Sequence, residues 1–175
     1  MPVPADNPAM CDLQSRIRRW TLLFMAGLVV SGATALPIAT EVGVAARALG
    51  EDFTAGERIP EFAASWFRRI HAEVGFAAER APILFYGTDW LAFGHFMIAL
   101  AFVGALRDPV RNRWLYTYGM IACALVPIWA LLFGEIRGIP LWWRAIDSCF
   151  GILGFIPVWL CSRWIAELEA RTPPR

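Results

Sequence analysis

Polar residues interrupt this chain in few places, and four mostly apolar runs lie between them, at about residues 20–39, 90–106, 114–134 and 140–161. At 1.5 Å of rise per residue, helices of about 17 to 22 residues reach across a hydrocarbon core about 30 Å thick. The pattern predicts an all-α fold: a polytopic membrane protein built as a four-transmembrane-helix bundle in a single domain. A long helical external loop, residues 40–88, joins helices 1 and 2.

Within the first run Gly27, Ser31 and Thr34 recur at helical spacing and read as a stripe of small residues for close helix packing in lipid. Pro37 predicts a kink near its end, because proline removes a backbone donor. In the loop, residues 41–49, 60–71 and 72–80 have helical character. The middle piece is amphipathic, with Phe62, Trp66, Phe67 and Ile70 between Glu61, Arg68, Arg69 and His71. Such a helix suits a headgroup layer or the mouth of a bundle, so membrane lipid is an expected partner. A membrane-protein partner docked around Trp66 and Phe67 is a second expectation. Residues 1–15, with Pro2, Pro4 and Pro8, show no periodicity and read as a flexible tail. Asp108 and Pro109 predict a capped start of the third helix, and Gly134, Gly138 and Pro140 a tight turn before the fourth.

Charge placement orients the chain. Nine arginines fall in three short segments, Arg16, Arg18 and Arg19, then Arg107, Arg111 and Arg113, then Arg163, Arg171 and Arg175. Residues 40–88 carry five arginines against seven carboxylates. Basic flanks stay cytoplasmic, so both termini are expected inside and the long loop outside, in a multi-pass protein of the inner membrane. The first run also has features of a secretory signal, with a small-residue stretch Ser31-Gly32-Ala33-Thr34-Ala35; cleavage there would leave three spans.

Composition narrows the function classes. Hydrophobic residues make up 58% of the 175, mean hydropathy is +0.49 and net charge +1, which excludes an ordinary soluble domain and offers nucleic acid no basic surface. All 16 basic residues are arginine, as in GC-rich bacterial genomes. The four cysteines form no CxxC pair, and Cys123 and Cys149 read as small apolar packers.

The candidate chemistry lies where polar residues enter or border the spans on the loop side: Glu41, Asp89, His95, Glu135, Arg144, Asp147 and Ser148. Charges there cost a few kcal/mol each on insertion scales, so they are expected to face the bundle and find partners. His95 lies roughly 7 to 8 Å below the outer interface if Trp90 marks it. Arg144 and Asp147, at i and i+3, are placed to pair, although Arg144 is shallow enough to snorkel outward. Asp89 fits the N-cap of the second span. Together these residues suggest a polar vestibule, with His95 and Asp147 as the catalytic candidates and Glu41, Asp89, Glu135, Arg144 and Ser148 as ligand-binding candidates. The competing explanation is a hydrogen-bonded knot that fixes helix register.

No cofactor is expected. A haem between spans needs an axial pair, and the two histidines, His71 and His95, divide between loop and span. No metal-ligand spacing is present, and GxSxG, Walker A, HExxH and dinucleotide fingerprints are missing. The residues point first to a small integral membrane protein with a polar pocket at its external end, which binds a lipid-like or amphipathic ligand or assists a membrane complex. One alternative is an intramembrane lipid- or isoprenoid-modifying enzyme with His95 as general acid or base, Asp147 as its partner and Arg144 as an anion clamp. Another is a proton or ion pathway subunit, weakened because no embedded charge continues the path through the other half.

Overall fold

The computed structural model describes residues 8–49 and 59–171. Among them the chain forms six helices and no strand: α1 (Pro8–Ala35), α2 (Ile38–Leu49), α3 (Glu61–Arg80), α4 (Ile83–Arg107), α5 (Arg113–Ile136) and α6 (Leu141–Arg171). Helices α4, α5 and α6 are each long and apolar enough to cross a membrane, and the broken pair α1 and α2 makes a fourth if it counts as one span. Leu125, Ile128, Trp129 and Leu132 of α5, with Phe150, Ile152 and Leu153 of α6, face outward. A water-soluble protein would hide such a surface, whereas hydrocarbon accepts it.

The contacts divide the chain into two compact units, Met1–Leu28 with Ile98–Arg175, and Val29–Met97. The first unit has a core of Ile17, Phe24, Phe102, Tyr116, Val158, Cys161 and Ile165. Helices α5 and α6 approach closely there because glycine removes the obstacle at the contacts. A Cβ on Gly119 would lie 3.2 Å from Val158 Cγ1, and one on Gly151 would lie 2.5 Å from the Cys123 carbonyl oxygen. That carbonyl lacks its usual helical donor, since Pro127 stands four residues on.

Residues 8–15 correct the expectation of a flexible tail. They are the first turns of α1, and Met10, Leu13 and Ile17 are buried. Their spacing is an apolar stripe, supported by an Arg16–Asp12 ion pair at 2.8 Å. The same core includes Ile165 and Leu168, because α6 runs past residue 161 to Arg171. Trp20 and Trp164 meet edge to face with centroids 6.3 Å apart. The rest of the expected tail, residues 1–7, lies outside the described residues.

The α4–α5 turn also differs from expectation. Asp108 accepts the Arg111 backbone N–H at 3.0 Å inside the turn, and α5 starts only at Arg113. Asn112 closes the turn instead, its Nδ2 donating to the carbonyls of Gly104 and Asp108 at 3.1 and 2.9 Å. These add a second donor to carbonyls that already accept the Asp108 and Asn112 backbone N–H groups at 3.0 and 3.2 Å, which fixes the turn at the end of α4. The α5–α6 turn is a glycine-terminated C-cap. Gly138 has φ 67°, its N–H bonds the Glu135 carbonyl at 3.0 Å, and the Ile139 N–H bonds the Gly134 carbonyl at 2.8 Å.

In the second unit Pro37 breaks the helix as expected, and the chain bends by 82° between α1 and α2. Helix α3 is one piece from Glu61 to Arg80, and it packs Ala64 and Phe67 on Ala46 of α2. The close approach to α4 uses Gly32, not the expected Gly27 stripe. A Cβ on Gly32 would lie 2.9 Å from Phe96 Cε1, while one on Gly27 would meet nothing within 4 Å.

Candidate functional site

Each unit carries its own share of the polar residues. In the first, the C-cap at Gly138 turns α6 back along α5 and sets Arg144 against Gly134, where a side chain would overlap the arginine stem. The arginine does not snorkel: its side chain is 13% exposed and its guanidinium pairs with Glu135 at 2.5 Å. The same Nη1 donates to the Leu131 carbonyl at 3.3 Å, while Nε is buried without a partner. The expected pairing with Asp147 is therefore replaced by one with Glu135, whose side chain is 73% exposed. The reason is geometric, since Gly134 draws the arginine stem onto α5.

Ser148 is buried, and its hydroxyl donates to the Arg144 carbonyl at 2.8 Å, which satisfies it within its own helix. Asp147 is different. It lies six residues into α6, about 9 Å along the helix axis, and is half-buried. Among the described residues of its unit the carboxylate has no hydrogen bond or ion pair. A charged group in an apolar helix without a partner is expensive, and water or a polar ligand would lower that cost.

In the second unit His95 is half-buried beside Gly32, and its Nδ1 lies 2.8 Å from the Leu91 carbonyl. A carbonyl only accepts, so Nδ1 carries the proton and, in the neutral ring, Nε2 keeps a lone pair. That tautomer suits a proton acceptor or a ligand contact through Nε2. Asp89 is exposed and sits in the body of α4, so it does not cap the helix. The helix begins earlier, at Ile83, following Pro82, and Thr88 bonds back to the Phe85 carbonyl at 2.7 Å. Glu41 is exposed in the first turn of α2, where a carboxylate favours the helix N-terminus.

The sequence reading missed one polar cluster, deep in the first unit. Thr21, Tyr116 and Cys161 are almost fully buried and come from α1, α5 and α6. The Thr21 hydroxyl donates to the Ile17 carbonyl at 2.8 Å, so the Tyr116 hydroxyl, also at 2.8 Å, donates to Thr21. Cys161 Sγ lies 3.6 Å from the Ile17 carbonyl and 3.7 Å from Thr21 Oγ1. Every member is satisfied, which marks the cluster as a register lock between helices. A threonine four residues after Ile17 in the buried stripe was its only signal.

Among the described residues no group of three histidines, cysteines or carboxylates could hold a metal ion. Compared with known proteins, the chain matches no family, no curated protein and no solved structure.

Proposed function

We propose that this chain is a small inner-membrane protein, a four-span bundle with both ends cytoplasmic, that binds a lipid-like or amphipathic ligand at its external end. The observation that carries this reading is Asp147, a half-buried carboxylate in an apolar helix with no partner among the described residues of its unit. Retaining such a group costs at most about 2.5 to 3.5 kcal/mol, the insertion-scale figure for a helix centre, and a polar head group would offset it on binding. His95 supports the reading from the other unit, since Nε2 is left available. Arg144 is less suited to the anion clamp first expected of it, because Glu135 already neutralises it.

A second reading is an intramembrane lipid- or isoprenoid-modifying enzyme. The His95 tautomer favours it, with Nε2 as general base. Native mass spectrometry of gently extracted protein tests the binding reading. Wild type is expected to carry an amphiphile that folded Asp147→Asn loses, and His95→Gln tests the second unit separately. Wild type and variants all empty, or equally loaded, would sink it.

A further inference from the structure

From charge placement in the first unit, we infer that its arginine-bearing end is a binding surface for the phosphodiester headgroups of anionic phospholipids. Three parts of that unit bring basic residues near one another, as the Trp20–Trp164 and Arg113–Glu169 contacts show: the N-terminal half of α1 with Arg16, Arg18 and Arg19, the α4–α5 turn with Arg107, Arg111 and Arg113, and the last turns of α6 with Arg163 and Arg171. Against these eight arginines stand four carboxylates, Asp12, Asp108, Glu167 and Glu169, a surplus of four positive charges.

Pairing decides which arginines are available. Arg16 is held by Asp12 and Arg113 by Glu169, both at 2.8 Å, and Arg171 is held by Glu167. Asp108 is occupied in its turn by the Arg111 backbone N–H. Arg18, Arg19, Arg107, Arg111 and Arg163 are exposed and make no ion pair among the described residues. The carboxylates of this end are thus already engaged, and five guanidinium groups stay open to a phosphate, which they match bidentately.

Aromatic residues fix the depth of these cations. Trp20 and Trp164 hold α1 and α6 side by side, Trp114 is exposed at the start of α5, and the Arg163 guanidinium lies over the Trp159 ring at 5.3 Å. Tryptophan prefers the headgroup level, and a guanidinium laid on an indole keeps its N–H edges free there. The surface is independent of the ligand reading, since Asp147 and Arg163 are about 24 Å apart along α6.

The test uses the full chain in detergent micelles titrated with phosphatidylglycerol or phosphatidylcholine and read by native mass spectrometry. Wild type is expected to retain phosphatidylglycerol in preference, with the preference falling as salt rises. The triple change Arg18→Gln, Arg19→Gln, Arg163→Gln is expected to weaken retention by about fivefold per arginine. Arg137→Gln, at the other end of α5, should leave it unchanged. Equal retention of both lipids by wild type, an unaltered preference in the triple variant, or an equal loss in Arg137→Gln overturns the inference. Should the triple variant not fold, a wild-type preference insensitive to salt overturns it as well.

Discussion

Gly151→Ala probes the closest approach of a described glycine to the backbone of a neighbouring helix. The added methyl would lie 2.5 Å from the Cys123 carbonyl oxygen, 2.7 Å from Val126 Cβ and 2.9 Å from Pro127 Cδ. Non-bonded carbons rest at about 3.5 to 4.0 Å, so α5 and α6 must separate by about 1 Å to admit it. No rotamer change relieves the overlap, because the obstacles are backbone, a Cβ and a proline ring. Overpacking of this kind costs about 1 to 3 kcal/mol, and the helix preference for alanine over glycine returns about 0.5 to 1. A net loss centred near about 1 kcal/mol, and at most about 2.5, is expected. Gly27→Ala meets nothing within 4 Å and should gain the propensity alone, while Gly154→Ala meets the movable Cys123 Sγ at 3.1 Å and should be near neutral. Reversible unfolding in mixed micelles of rising dodecyl sulfate content measures the three together. A Gly151→Ala protein as stable as wild type, or less perturbed than Gly154→Ala, would refute the packing argument.

The buried cluster makes an asymmetric prediction in the same assay. Thr21→Val strands the Tyr116 hydroxyl and should cost about 1 to 3 kcal/mol, whereas Tyr116→Phe removes a donor but leaves Thr21 bonded to Ile17 and should cost about 0.5 to 1.5. The double variant should cost less than the sum, because both changes remove one shared bond. Arg144→Met keeps the stem beside Gly134 and removes a pair whose partner is largely exposed, so stability should stay within about 1 kcal/mol of wild type.

Apolar length made the helical class and the three long apolar helices legible in the sequence, and Pro37 marked the break before α2. The ends of helices were harder. Met10, Leu13 and Ile17 form a stripe whose surroundings are too polar on average to look like a span, so hydropathy alone places the start of α1 too late. Gly87, Thr88 and Asp89 resemble a cap and so place Ile83, Leu84 and Tyr86 in the loop, but Thr88 bonds back within a helix that already runs through them. Small residues named the type of packing but not its position: Gly32 and Gly151 make the close contacts, and Gly27 makes none. Spacing alone also favoured Arg144 with Asp147, whereas the turn at Gly138 brings Glu135 to the arginine. Pairing across a turn depends on backbone hand and glycine placement, which periodicity does not encode.

The proposed role of Asp147 in ligand binding, and not in the fold, is tested by the unfolding free energy of delipidated Asp147→Asn against wild type. Removing an unpaired charge from an apolar helix should leave stability equal or raise it by about 1 to 3 kcal/mol. A loss of more than about 1 kcal/mol would mean that Asp147 holds the bundle together, and the binding reading would fall with it.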